Sequence, residues 1–371
     1  MLRALTSIFL LIFLMIPAQA RSEATPPRAL FVSVIEKETV LASKENIVKL
    51  IVFAKKARIK TLFVQIYRSN LSWFPSKVAD QSPYERCLKS VGEDPFAFLI
   101  RKAHAEGIEV HAWLNLLTLS KNVNAPLLKK YGPTILTRDL KPKKTIEDYT
   151  IDQQYFLEPG DLRVRKELIN MTEEVLRAYP DLDGIQFDYI RYPDFHPIYG
   201  YAPMNVERFK KATGITVIKD NDPVWQDWKR AQVTDLLKDL IKKVKAIRPR
   251  IHISTTGCMS YSRAYYEAFQ DWPSWVNTGL VEFVTVMSYP DNVEEFQKNI
   301  KDAKKRVKDF TKVKLGVGAY KFVSAPIIFT RQFDLCEKAG SGACAVFYYG
   351  SVLLNPTLSS YLTNFPPKNK E

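Results

Sequence analysis

Eight apolar runs of strand length, most followed by an amphipathic stretch of helix length, predict an α/β fold of the (β/α)8 TIM-barrel kind. A doubly wound open sheet usually carries a glycine-rich turn after its first strand, and VIEKETV (34–40) has no glycine. The length of 371 residues, with 46% hydrophobic and 12% aromatic side chains, suits one large barrel with a substantial core.

The first predicted strand is ALFVSVIE (29–36), with a helix at about 44–57. TLFVQIY (61–67) is the second strand. The stretch DPFAFLIRKAHAEG (94–107) has an Asp-Pro helix start and a glycine stop. IEVHAWLN (108–115) is the third strand. A long segment, 116–154, interrupts the alternation and includes the basic stretch LKKYGPTILTRDLKPKK (128–144). A helix over 161–179 places Val164, Leu168, Thr172, Val175 and Tyr179 on one stripe.

DGIQFDYI supplies the fourth strand, and 192–224 reads as an aromatic-rich loop. A helix over 225–247 buries Val233, Leu236, Leu237, Leu240, Ile241 and Val244. RIHISTTG (250–257), VEFVTVMSY (281–289), VKLGVGAY (313–320) and ACAVFYYG (343–350) are strands five to eight. Helices are expected near 272–279, 293–310 and 325–339. The expected layout is a signal peptide over 1–20, one barrel over 28–355 with long loops on its C-terminal face, and a polar tail over 356–371.

The leader reading rests on Arg3, IFLLIFLMI (8–16) and PAQA (17–20), which has small residues before a cut near Ala20. Its apolar stretch is too short to span a bilayer, which takes about 20 residues. The expected location is therefore periplasmic or secreted, with no membrane span. The net charge of +14 suits an anionic glycan, and the basic stretch 128–144 could face one. No nucleic-acid-binding module is present. The four cysteines, Cys87, Cys258, Cys336 and Cys344, and the four histidines show no metal-ligand spacing, so no metal or other cofactor is expected. Disulfides are compatible with export, but spacing does not fix their pairing.

Barrel active sites lie where strands end. In DGIQFDYI, Ile185 and Phe187 share one parity, which suits the helix layer. Gln186 and Asp188 share the other, so Asp188 points inward at the mouth. An inward carboxylate is costly without partners, and Arg191 or Arg68 is the expected counter-ion. Asp183 and Glu282 precede strands and read as structural acids.

Other strand ends bring Gln65 and Arg68, Trp113 and Asn115, Tyr189, Tyr289 and Asp291, and Tyr348. Aromatic rings beside amides and acids suit sugars, whose ring faces stack and whose hydroxyls hydrogen-bond. Glycoside hydrolysis usually takes two carboxyl groups. Asp188 is the expected nucleophile or charge stabiliser. Glu158, before a helix start, is the expected acid, with Asp291 and Asp194 behind it.

DGIQFDYIRYP (183–193) resembles the hallmark of the glycosyl-hydrolase-like family ten barrels of the bacterial envelope. AHAEGIEVHAWLN (103–115), EPGDLRVRKEL (158–168) and WKRAQVTDLLKDLIKKVKAIRP (228–249) extend the resemblance across nearly the whole chain after the leader. The resemblance implies a glycosidase barrel similar to the alpha-amylase group, acting on an envelope glycan such as peptidoglycan strands. In that group an acid follows strand five, and RIHISTTGCMSY (250–261) supplies none. A monomer is expected. A non-catalytic glycan-binding barrel and a transglycosylase are the rival readings.

Overall fold

A computed structural model describes residues 26–36 and 39–364. The expected leader, 1–20, lies outside them. Eight parallel strands form the barrel: β1 (Arg28–Val32), β2 (Ile59–Arg68), β3 (Glu109–Asn115), β4 (Gly184–Asp188), β5 (His252–Cys258), β6 (Phe283–Ser288), β7 (Val313–Gly318) and β8 (Ala343–Phe347). Each pairs with its neighbours in chain order. β1 pairs with both β2 and β8, which closes the sheet. The predicted (β/α)8 architecture is therefore the observed one.

Helices alternate with the strands: α1 (Lys44–Lys56), α2 (Pro95–His104), α3 (Leu162–Ala178), α4 (Pro223–Ile247), α5 (Trp272–Asn277), α6 (Val293–Arg306), α7 (Pro326–Glu337) and α8 (Pro356–Thr363). Local sequence explains where many of them start. Ser43, Asp94, Asp161, Asp222, Asp271, Asn292 and Asn355 each accept a backbone N–H of the first turn. Such caps contribute about 0.5–2 kcal/mol each.

Side-chain alternation divides the core into two layers. Phe31, Phe63, Trp113 and Ala345, with Phe283 and Phe347 against them, fill the barrel interior. Ile185, Phe187, Leu168, Val175, Val233 and Leu240 belong to the larger layer between sheet and helices. His111 is buried in the barrel interior, where its ring packs near Phe63 and Phe283.

The structure changes several expectations. β1 stops at Val32, because the Gln65 side chain accepts from the Ser33 hydroxyl and the Val34 N–H and draws the chain out of the ladder. The loop over 192–224 contains a helix, Pro203–Thr213, with proline at its start and Gly214 past its end. Residues 356–371 are not simply a polar tail: Pro356–Thr363 forms α8 and buries Leu358 and Leu362. Cys336 and Cys344 form a disulfide between α7 and β8, and Cys87 and Cys258 are buried thiols. In the basic stretch, Lys130 pairs with Glu167 and Lys143 with Asp139.

Candidate active site

Asp188 is the last residue of β4, and its carboxylate points into the barrel mouth. It is 3% exposed. Trp113 Nε1 of β3 donates to Oδ2 at 2.8 Å. The Thr256 hydroxyl of β5 donates to Oδ1, and so does the Tyr189 backbone N–H, at 2.7 Å. Three donors, from β3, β5 and the residue after β4, thus hold the carboxyl group in one orientation.

The expected counter-ion is a correction. Arg191 pairs with Asp194 at 2.6 Å rather than with Asp188, and its guanidinium lies 4.5 Å from the Tyr189 ring centroid. Its turn bends back at Tyr189, whose φ is +52°. Burial opposes the Arg191 charge, but neighbouring acidic groups, Asp194 and Asp188 among them, outweigh it and raise its pKa. Burial would likewise raise the Asp194 carboxyl. Arg191 and Arg263 outweigh that effect and hold it below the usual carboxylate range. Asp194 is therefore poorly suited to hold a proton for transfer. Arg68 reaches Ser120 at 3.5 Å, not Asp188.

Several expected substrate contacts instead build the mouth from inside. Gln65 donates to Asn115 at 3.1 Å, and Gln186 donates to Thr285 at 2.8 Å. All three amides are buried, as is Trp113. Tyr289 stacks on Phe347 at 5.3 Å. Tyr348 is half-buried at the end of β8. Asp291 is exposed and paired with Lys321 at 2.6 Å.

Glu158 is closed off from solvent. Its Oε1 accepts from the Tyr192 hydroxyl and from the Gly160 N–H at 3.1 Å. Burial raises its pKa. Asn205 reaches the same Tyr192 hydroxyl at 3.4 Å and donates to the Gly200 carbonyl at 2.8 Å. The structure thus places Glu158 as an internal tie between the start of α3 and the loop after β4, and no contact joins it to Asp188.

Two other carboxyl groups stand near the strand ends. Glu36 follows β1, and its Oε2 is buried without a hydrogen-bond partner among the described residues. Its Oε1 packs on Gly350, so closely that a Cβ there would lie 2.5 Å away. Burial raises the Glu36 pKa, opposed by its own backbone N–H and by Arg68. Glu267 follows β5 by one short helix, Tyr261–Tyr266. It lines a cleft of about 590 Å³ together with Arg191, Asp194 and Tyr289. Sequence reading missed both. Glu36 is the last residue of the predicted first strand, 29–36, and received no role there, and Glu267 lies beyond RIHISTTGCMSY.

The glycosyl hydrolase-like 10 family model matches residues 28–333. The chain belongs to that family. The glycosyl hydrolase DigH of Escherichia coli strain K12 is 25% identical over 249 residues, covering 62% of this chain and 54% of DigH. The glycosyl hydrolase YngK of Bacillus subtilis strain 168 is 24% identical over 270 residues, covering 68% of this chain and 50% of YngK. The chain thus spans about half the length of the relatives it matches.

Its fold is similar to that of alpha-L-fucosidase isoenzyme 2 from Paenibacillus thiaminolyticus. The TM-score is 0.61 at 13% identity, over 91% of this chain and 48% of the fucosidase. The alpha-galactosidase of Lactobacillus brevis gives a TM-score of 0.55 at 11% identity, over 92% of this chain and 40% of that one. The fold neighbours of this family member are glycosidase barrels. Among the described residues no helix is long and apolar enough to cross a membrane.

Proposed function

We propose that the protein is an exported glycoside hydrolase that cleaves an envelope glycan, peptidoglycan strands being the first candidate. The observation that carries the reading is Asp188: an inward carboxylate at the end of β4, oriented by Trp113 and Thr256 from the two flanking strands. A group so placed can attack an anomeric carbon or stabilise the cation that develops there. Membership of a glycosyl hydrolase-like family supports this chemistry. The expected leader supports export. So does the Cys336–Cys344 disulfide, since such bonds persist in oxidising compartments.

The proton donor in this reading is Glu36 rather than Glu158. Its site disfavours the charged form, and a general acid has to hold its proton until the leaving oxygen takes it. Glu267 is the second choice, because it lines the cleft and its side chain has no hydrogen bond or ion pair among the described residues.

The test is incubation with purified peptidoglycan, peptide-free glycan strands and neutral polysaccharides, followed by mass spectrometry. Shortened glycans support hydrolysis. Oligosaccharides longer than the substrate would identify a transglycosylase. Binding without any product would identify a glycan-binding barrel.

A further inference from the structure

Two exposed aromatic rings line the cleft of Arg191, Asp194 and Tyr289, and the proposed chemistry uses neither. Phe195, from the loop after β4, is 62% exposed; Tyr320, from the turn after β7, is 41% exposed. Both line the same cleft, on walls built from different strand ends. Burying a phenylalanine is favourable, so a position that keeps one in water gains little from it in folding.

Phe195 also has an unusual backbone. Its φ is +69°, in the left-handed region that a bulky side chain occupies at a cost. The Arg263 guanidinium lies 4.6 Å from the ring centroid. Arg263 in turn lies 3.6 Å from Asp194, which pairs with Arg191 at 2.6 Å. The ring is braced by a charge chain rooted in the segment that carries Asp188.

Tyr320 is supported by other rings. It meets Tyr289 edge-on at 5.9 Å and Phe347 edge-on at 5.8 Å. Gly318 leaves space for this group, since a Cβ there would lie 3.1 Å from the Tyr289 ring. Ser260, Ser262 and Asn299 add hydrogen-bonding groups to the same cleft. Supported aromatic faces beside polar side chains match the C–H faces and hydroxyls of a pyranose.

We infer that Phe195 and Tyr320 are two stacking subsites that together hold a glycan chain, so that the cleft takes several linked sugar residues rather than one terminal sugar. This rests on the glycan reading of the Asp188 site and specifies its substrate as a chain.

Binding is measured by titration calorimetry with hexasaccharides and monosaccharides of N-acetylglucosamine, glucose and xylose, and with peptide-free peptidoglycan strands. Wild type is compared with Phe195→Ala, Tyr320→Ala and Tyr320→Phe, and thermal melts confirm folding. The expected result is that at least one hexasaccharide or the glycan strands bind while the monosaccharides do not. Each alanine variant then weakens that binding about tenfold or more, and Tyr320→Phe keeps it. The inference is overturned if no chain binds, if a monosaccharide binds as tightly as its hexamer, or if both alanine variants bind as wild type does. Chain binding that depends on both rings, without turnover, sinks the hydrolase reading and leaves the stacking subsites standing. Turnover that is indifferent to both variants does the reverse.

Discussion

The glycine of DGIQFDYIRYP has a structural reason that can be tested without a substrate. A Cβ built on Gly184 would lie 2.3 Å from His111 Nδ1, 2.4 Å from Cε1 and 2.6 Å from Cγ. The ring has little room to move. It is 1% exposed, edge-on to Phe63 at 5.4 Å, tilted against Phe283 at 5.9 Å and stacked near His252 at 6.0 Å. Overpacking a core site costs about 1–3 kcal/mol, and three overlaps with one confined ring place Gly184→Ala toward the upper end. That corresponds to a melting temperature lower by roughly 5 °C or more. Circular dichroism melts and urea titrations measure it. The double variant Gly184→Ala/His111→Ala should be less destabilised than the two single costs summed, by about 1 kcal/mol or more. A Gly184→Ala protein that melts within ~1 °C of wild type would refute the reasoning.

Three further outcomes are expected. Glu36→Gln should lower turnover by about 10²–10⁴-fold. Because the acid acts in its protonated form, wild-type activity should fall as pH rises through the raised Glu36 pKa, and that alkaline limb should vanish in the variant. An unchanged pH–rate profile removes Glu36 from the mechanism. Lys314, above the Phe283 ring at the barrel floor, is pushed by burial down to about 8. An unfolded lysine titrates near 10.4, so between about pH 8 and 10.4 the unfolded chain binds more protons and stability should rise with pH. Lys314→Met should flatten that rise in melts taken across the window, and an unaltered slope counts against it. Replacing Cys336 and Cys344 together by serine should cost about 2–3 kcal/mol by denaturant titration, because the crosslink constrains the unfolded chain. No measurable loss would contradict the crosslink.

The barrel was legible because eight apolar runs carry strand periodicity and most of the helices carry amphipathic stripes, both local signals. Asp188 was legible for the same reason: strand parity assigns Ile185 and Phe187 to one face and Asp188 to the other. Its partners were not, since Trp113 and Thr256 come from β3 and β5, and sequence distance hides such pairs. Arg191 attracted attention by proximity, yet chain geometry after Tyr189 turns it to Asp194. Glu158 shows the limit most clearly. Its neighbour Asp161 is the true helix cap, while its own partner, Tyr192, lies 34 residues away. The helix Pro203–Thr213 did carry readable signals, a proline at its start and Gly214 past its end, within a stretch whose aromatic content suggested a loop.

The most direct test of the account compares turnover of a glycan cleaved by wild type with turnover by Asp188→Asn and Glu158→Gln under identical conditions. The account predicts that Asp188→Asn, folded and still able to bind the chain, loses on the order of 10³-fold or more in kcat/KM. Glu158→Gln should retain most of the activity and show its effect in stability. Turnover by Asp188→Asn at the wild-type rate, or its loss in Glu158→Gln alone, would contradict the central claim.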